Sequence, residues 1–240
     1  MDTIKINKKQ AMMVAHRGCS GLEKENTHAA FVAAGNRSYF GIETDVHRTL
    51  DGKFVCFHDD TTKRVAIDDM EIERTTFDTL RSLLLTDTDG VKGRTDLRMP
   101  TLQEYIRICK KYEKVAVLEL KNNFEEDDIR RIVYIISCEE YLDNVIFISF
   151  DLQNMLTLRR MLPNQTCQYL IGGEITDEVI ATLTENHLDL DVRYTRLDEE
   201  MIAKLHSKGI KVNCWTVDKP EDAKQLVEWG IDFITSNILE

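Results

Sequence analysis

Residues 144–171 read NVIFISFDLQNMLTLRRMLPNQTCQYLI and contain one complete unit of the fold. The apolar run over 144–150 predicts a buried strand, and the amphipathic stretch 151–162 predicts a helix with Asp151 as its N-cap. A second apolar run over 166–171 predicts the next strand. Buried strands that alternate with helices of this length are typical of parallel α/β folds. The unit therefore predicts an α/β protein with a parallel sheet.

The same alternation continues on both sides of this unit. Upstream, the pattern predicts a strand over 114–120 and a helix over 125–141. Downstream it predicts three strands, over 188–192, 210–215 and 231–235, with helices that begin near Thr176, Asp198 and Pro220. Apolar runs at 12–16 and 40–45 bring the number of strands to eight. Eight βα units in 240 residues favour a closed (β/α)₈ TIM barrel over an open doubly wound sheet.

One long segment does not fit a minimal barrel. More than fifty residues separate Asp45 from a helix that we expect to begin near Thr101, and they contain a short strand (53–57) and a helix (77–85). Structureless loops of that length are uncommon in compact domains. We therefore expect one domain over residues 1–240, with an insertion at about residues 46–100 after strand 2. The insertion should overhang the C-terminal face of the barrel, where βα loops build active sites.

Composition narrows the function and the location. The formal charge of −11 argues against general nucleic-acid binding, which needs a basic surface. The sequence has no apolar run long enough for a transmembrane helix, and its polar N-terminus lacks the apolar segment of a secretion signal. Six scattered cysteines without a Cys-x-x-Cys pair read as reduced thiols. We expect a cytoplasmic protein, and the sequence leaves the oligomeric state open.

The residues that carry chemistry are concentrated near the N-terminus. In order along the chain they are His16-Arg17-Gly18, Glu25-Asn26-Thr27, Glu43-Thr44-Asp45, Asp51-Gly52 and His58-Asp59. Residues two apart on a strand share a face, so Glu43 and Asp45 can reach one ion. Glu119 ends the next core strand and can join them. Three carboxylates without an adjacent thiolate predict a hard cation, magnesium or calcium.

The order and spacing of these motifs resemble the glycerophosphodiester phosphodiesterase family. The resemblance continues through Pro100-Thr101-Leu102, Leu118-Glu119-Leu120-Lys121 and Trp215-Thr216-Val217, and thus spans nearly the whole chain. It implies a metal-dependent enzyme that hydrolyses small glycerophosphodiesters to glycerol 3-phosphate and an alcohol. Two alternatives stay open: a phosphodiesterase for lysophospholipids or phosphoinositides, and a noncatalytic barrel that binds phosphorylated ligands.

The resemblance also implies roles for particular residues. His16 and His58 would form the acid–base pair, with His16 as the base that activates the glycerol 2-hydroxyl and His58 as the acid that protonates the leaving alcohol. Water would then open a cyclic phosphate. Arg17 and Lys121 would hold phosphate oxygens, because their charges and donors suit an anionic ester. The metal ligands would be Glu43, Asp45 and Glu119.

Two features of the later strands bear on the substrate. Phe150 and Trp215 are candidates for an apolar wall beside the glycerol or the departing group. The last strand of the family commonly ends in Thr-Asp, whereas this chain has Thr235-Ser236. A polar contact at the eighth loop is therefore in question, and the substrate preference with it.

Overall fold

The computed structural model describes residues 2–91 and 94–240. Within these residues it contains nine strands: β1 (Met12–Ala15), β2 (Gly41–Arg48), β3 (Phe54–Cys56), β4 (Val115–Leu120), β5 (Val145–Ser149), β6 (Cys167–Ile171), β7 (Asp189–Arg193), β8 (Val212–Trp215) and β9 (Phe233–Ser236). The α-helices in the same residues are α1 (His28–Gly35), α2 (Phe77–Ser82), α3 (Leu102–Lys111), α4 (Glu126–Cys138), α5 (Leu152–Met161), α6 (Asp177–Glu185), α7 (Glu199–Ser207) and α8 (Pro220–Glu228).

Eight of the strands form a closed parallel barrel. Each strand in the series β2, β4, β5, β6, β7, β8 and β9 pairs in parallel with the next one. The ring closes through β1, which pairs with β9 at Met12↔Phe233 and with β2 at Val14↔Gly41. Helices connect these strands, so the prediction of a (β/α)₈ barrel is confirmed.

Helix N-termini follow the capping residues of the sequence. The Asp151 side chain accepts hydrogen bonds from two backbone N–H groups in the first turn of α5, as predicted. Thr101 and Glu104 form a reciprocal capping box at α3. Thr176 and Asp198 each accept one bond at the starts of α6 and α7. The positions of these helices were therefore readable from their first residues.

Some predicted bounds were wrong for physical reasons. The strand predicted over 40–45 continues to Arg48, because Val46 and Arg48 pair with the antiparallel strand β3 outside the ring. The helix predicted over 77–85 ends at Ser82, since the Leu85 N–H donates instead to the Leu97 carbonyl. The helix predicted over 125–141 ends at Cys138. Other bounds differ by one or two residues.

The segment after β2 has a hydrophobic core of its own. Its buried cluster contains Val55, Phe57, Val65, Ala66, Ile72, Leu80, Leu83, Leu85, Leu97 and Met99. All of these residues lie between β2 and α3. This small core anchors the loop that follows β3, which carries His58. Among the described residues no helix combines the length and the apolar character needed to cross a membrane.

The barrel interior contains both apolar and polar side chains. The apolar cluster consists of Val14, Val117, Ile146, Ile148, Leu170 and Phe233. On β6 to β9 the expected apolar layers give way to four buried polar side chains, Gln168, Asp191, Asn213 and Thr235. These four hydrogen bond to one another: the Asn213 amide donates to Gln168 and Asp191 and accepts from Thr235. Among the described residues, Gln168 Nε2 and Asp191 Oδ1 have no hydrogen-bond partner.

Candidate active site

Three buried carboxylates meet at the C-terminal ends of β2 and β4. Glu43 and Asp45 share a face of β2, and the strand register places Asp45 directly beside Glu119. One oxygen from each carboxylate lies within 4.8 Å of the other two. Their exposed fractions are only 3%, 1% and 6%. The cluster could hold one divalent metal ion, and its oxygen donors suit a hard cation.

The charges of this cluster are not balanced by the protein alone. Burial and the Asp45 charge raise the pKa of Glu119 to about 8, and the same causes raise the pKa of Glu43 well above its usual range. Asp45 is also buried, but Lys121 and Arg17 hold its pKa below the usual range. Two of the three carboxyl groups therefore retain protons easily. A bound divalent cation would remove that tendency, because opposite charge favours the ionised form.

Two cations border the carboxylates. The Lys121 Nζ atom lies 2.9 Å from Glu119 Oε1 and 3.4 Å from Asp45 Oδ1. The Arg17 backbone N–H donates to Glu43 Oε2 at 2.7 Å, and the Arg17 Nε atom lies 3.8 Å from Asp45 Oδ2. Both basic side chains are thus paired with the carboxylates of the cluster.

The turn at His16-Arg17-Gly18 explains how Arg17 reaches this position. Arg17 has a left-handed backbone with φ +54°, and Gly18 follows at φ +77°. A Cβ on Gly18 would lie 2.7 Å from atoms of Ala30, so the close approach of α1 requires glycine. The turn directs the Arg17 guanidinium toward Glu25, with Nη1 2.9 Å from Glu25 Oε1.

His16 has a neutral hydrogen-bonding partner. Its Nδ1 atom lies 2.8 Å from the Asn237 side-chain oxygen, just after β9. Burial, with the charge of Arg17, lowers the pKa of His16 to about 4. The imidazole is therefore neutral near pH 7.

His58 has a charged partner and lies in the segment between β3 and α3. Its Nδ1 atom lies 2.6 Å from Asp59 Oδ1, and Asp59 in turn receives two hydrogen bonds from Arg64. Arg64 also binds both oxygens of Glu25, the residue that holds Arg17. Burial lowers the pKa of His58, although the Asp59 carboxylate opposes this effect. A continuous chain of ion pairs thus ties the His58 loop to the first loop of the barrel.

A cavity of about 230 Å³ joins these groups. Its lining includes seven of the nine predicted site residues, namely His16, Arg17, Glu43, His58, Glu119, Phe150 and Trp215. The other two contact lining residues: Asp45 lies beside Arg17, and Lys121 pairs with Glu119. Phe150 and Trp215 form an edge-to-face pair with ring centroids 5.7 Å apart, so one wall is aromatic.

Several residues of this region were not given roles from the sequence. Asn26 donates to Asp45 Oδ2 at 2.8 Å and accepts from the Thr44 hydroxyl at 2.7 Å, which fixes the carboxylate. Asp191 lines the cavity floor, and burial and the Glu119 charge raise its pKa well above the usual range. The motif Glu25-Asn26-Thr27 was a usable signal for Asn26, whereas Asp191 lies in the alternating stretch Leu-Asp-Leu-Asp-Val over 188–192, which indicates a strand but no site.

The eighth loop does have polar contacts, which corrects the concern about Ser236. The Ser236 hydroxyl donates to Asp218 Oδ1 at 3.0 Å, and Asn237 donates its backbone N–H to the same carboxylate at 2.8 Å. Asp218 follows Trp215-Thr216-Val217 in the preceding loop. The polar contact is therefore made between the two loops rather than by the residue at position 236 alone.

Comparison with known proteins identifies the family of this chain. A profile of the "Glycerophosphoryl diester phosphodiesterase family" matches residues 16–239. A glycerophosphodiester phosphodiesterase of Caldanaerobacter subterraneus is 26% identical over 234 residues, which cover 95% of this chain and 94% of the relative.

Solved structures agree with the sequence comparison. A phosphodiesterase of Oleispira antarctica, determined with the product sn-glycerol-3-phosphate, is 26% identical and has a TM-score of 0.86, covering 98% of this chain and 96% of the other. A glycerophosphodiester phosphodiesterase of Thermotoga maritima is also 26% identical, with a TM-score of 0.76 and coverage of 95% and 94%. The predicted resemblance is confirmed: this chain belongs to the glycerophosphoryl diester phosphodiesterase family of enzymes.

Proposed function

We propose that this enzyme hydrolyses small glycerophosphodiesters to glycerol 3-phosphate and an alcohol, in a reaction that depends on a divalent metal. The observation that carries the proposal is one cavity that brings together three carboxylates, two histidines and Arg17. The product bound in the Oleispira antarctica structure, sn-glycerol-3-phosphate, is the same compound as the product proposed here.

Glu43, Asp45 and Glu119 would hold the metal, which we propose is magnesium or calcium. All three donors are carboxylate oxygens, and no thiol or imidazole nitrogen is part of the cluster among the described residues. Such a set is typical of hard cations. When bound, the cation supplies positive charge to the phosphate in the transition state.

Arg17 and Lys121 would contribute further positive charge to the phosphate. Glu25 engages one terminal nitrogen of the Arg17 guanidinium, which leaves other N–H groups for a nonbridging oxygen. Lys121 lies behind the carboxylates and keeps Asp45 ionised. Electrostatic stabilisation of this kind is the main contribution that a protein makes to phosphoryl transfer.

The partners of the two histidines support opposite roles. His16 is neutral and its partner is an amide, so it suits a general base that accepts a proton from the glycerol 2-hydroxyl. His58 has the Asp59 carboxylate as its partner, which favours a protonated ring and so opposes the lowering of the His58 pKa by burial, as a general acid requires.

The proposed reaction proceeds by internal attack. The 2-hydroxyl oxygen bonds to phosphorus as its proton passes to His16, and the bond to the head-group oxygen breaks as that oxygen takes a proton from His58. The five-membered cyclic phosphate is then opened by water, with the proton transfers reversed, to give glycerol 3-phosphate. Phe150 and Trp215 would shield the glycerol from solvent on the aromatic side.

The remaining expectations are part of the same proposal. We infer that the chain acts as one domain with an insertion over about residues 46–100, because the small core of that segment packs beside the barrel. A cytoplasmic location is supported by the six cysteines, all of which are free thiols in the described structure.

The test is turnover of a panel of glycerophosphodiesters, with glycerol 3-phosphate measured as the common product. We expect chelation to abolish turnover and magnesium or calcium to restore it. A deoxy substrate that lacks the 2-hydroxyl should bind but not react. His206→Ala is a matched control for His16→Ala, because His206 pairs with Asp232 away from the cavity. Full turnover in excess EDTA after dialysis would contradict the metal, and cleavage of the deoxy substrate would contradict internal attack.

A further inference from the structure

The side chain of Asn237 has only one orientation that satisfies its neighbours. Its amide nitrogen lies 2.6 Å from Asp218 Oδ2, and its backbone N–H donates to Asp218 Oδ1 at 2.8 Å. An ionised carboxylate only accepts hydrogen bonds, so the group facing Asp218 must be the NH₂. The amide oxygen of Asn237 is thereby directed to the opposite side.

That oxygen faces His16. It lies 2.8 Å from His16 Nδ1, and it also accepts a hydrogen bond from the Ser20 hydroxyl at 2.7 Å. An amide oxygen cannot donate, so the ring nitrogen opposite it must carry the proton. The second ring nitrogen of a neutral His16, Nε2, then has a free lone pair.

We propose that Asp218 and Asn237 form a positioning relay that keeps the proton of His16 on Nδ1 and so leaves Nε2 able to accept a proton in the cavity. The inference rests on the proposed role of His16 as the base, but the position of its proton is independent of that role. Asp218 fixes Asn237, and Asn237 fixes the tautomer of His16. The sequence places these partners about 200 residues from His16, at the ends of the last two barrel strands.

The chemical character of the relay matters as well as its geometry. The groups whose charges act on His16 are Arg17 and His58, which disfavour a protonated ring, and Asp45, which favours it. In the relay the uncharged amide of Asn237 contacts the His16 ring, and the charged Asp218 carboxylate lies on the other side of that amide. His16 therefore gains an oriented hydrogen bond without the carboxylate contact that His58 has with Asp59.

The direct test is the ¹⁵N spectrum of histidine-labelled enzyme, with the His16 signals assigned by their loss in His16→Gln. We expect the proton on Nδ1 in the wild type, with and without magnesium, and a loss of this preference in Asn237→Leu. Ser20→Ala should keep the proton on Nδ1, since Asn237 still accepts from the ring. A proton on Nε2 in the wild type, or a changed tautomer in Ser20→Ala, would overturn the proposal.

Activity gives a second readout that a purely structural role would not move. Asn237→Leu should lower kcat by about 10- to 100-fold with little change in KM, the usual effect of losing an orienting partner. The exchange Asp218→Asn with Asn237→Asp keeps the hydrogen bonds but moves the charge to His16. In this exchange variant the acid limb of the pH profile of kcat/KM should shift upward by about 1 to 3 pH units, because a carboxylate beside His16 favours its protonated form.

The exchange variant also protects the test against misfolding. If Asn237→Leu does not fold, the shift in the exchange variant decides the matter, and an unchanged acid limb overturns the relay. If His16→Ala retains activity while the wild-type proton lies on Nδ1, the proposed function fails but the relay stands.

Discussion

Replacing Glu43 with glutamine should stabilise the metal-free enzyme. The carboxylate oxygens of the cluster lie within 4.8 Å of one another, and at an effective dielectric constant of about 20 two ionised carboxylates at that limit repel by roughly 3 kcal/mol. Glu43 has two such neighbours, Asp45 and Glu119, and the charge of Arg17 offsets part of the repulsion. Glu43 in the wild type avoids the remaining repulsion by retaining a proton, which costs free energy above the usual pKa of a glutamate. Glutamine avoids this cost, so we expect the free energy of unfolding of the variant to exceed that of the wild type by about 1–3 kcal/mol at pH 8. A glutamine oxygen can still accept the Arg17 backbone hydrogen bond.

The gain should depend on pH in a defined direction. The folded-state pKa of Glu43 is raised above its unfolded value of 4.5, so the folded wild type binds the extra proton. The wild type therefore loses stability as the pH rises from 4.5 through the raised pKa, whereas Glu43→Gln does not. Below pH 4.5 the stability difference between the wild type and Glu43→Gln should disappear. Magnesium should restore the stability of the wild type at high pH and should stabilise the variant much less.

The assay is urea or thermal unfolding in EDTA at several pH values, followed by the same series with magnesium. A change of 1 kcal/mol corresponds to about 2–4 °C in a chain of this size. Glu25→Gln is the matched control and should be destabilising, because Arg17 and Arg64 lower the pKa of Glu25 to about 2 despite its burial. If Glu43→Gln is less stable than the wild type at pH 8 without metal, the electrostatic reasoning is refuted.

Three further predictions concern catalysis. His16→Ala and His58→Ala should each lose about 10²–10⁴-fold in rate, and a nitrophenyl substrate, whose leaving group needs no proton, should rescue only His58→Ala; equal losses on both substrates would exclude the assigned roles. The acid limb of the kcat/KM profile should lie well below pH 6.5, because the pKa of His16 is lowered to about 4; a limb at 6.5 or above contradicts this. Arg64→Gln, which cuts the link between Asp59 and Glu25, should lower kcat by up to about 100-fold, since it misplaces His58. Calorimetry should find its magnesium affinity unchanged, and a parallel loss of affinity would show that the link serves the metal site instead.

The barrel was predictable because its signals are local. Strand alternation placed Glu43 and Asp45 on one face, and the parallel register of β2 and β4 then brings Glu119 beside Asp45. Helix starts were equally readable, since caps such as Asp151 act on the next three residues. Errors occurred where another segment pairs with the backbone, as at Arg48, which pairs with Phe54, and at Leu85, which donates to Leu97.

The partners of the site residues were beyond a local analysis. The Asn237 side chain contacts His16 across 221 positions of sequence, and no periodic pattern connects them. The last strand commonly ends in Thr-Asp in this family, which drew attention to Ser236 at the position of the Asp. The contact with His16 is instead made by Asn237, one residue later. Asp191 and Asn213 alternate with apolar residues in short strands, so their mutual hydrogen bond inside the barrel had no sequence signal.

The two histidines depend on different hydrophobic cores. His16 extends from β1 in the barrel, whereas His58 follows β3 in the segment stabilised by its own ten-residue cluster. Parts of a protein with separate cores open with separate free energies. The smaller core can therefore be loosened or strengthened by substitution without touching the carboxylates. If His58 acts as the proposed acid, substitutions in the smaller core should change the rate of proton delivery to the leaving group while the affinity of the carboxylates for a metal stays constant.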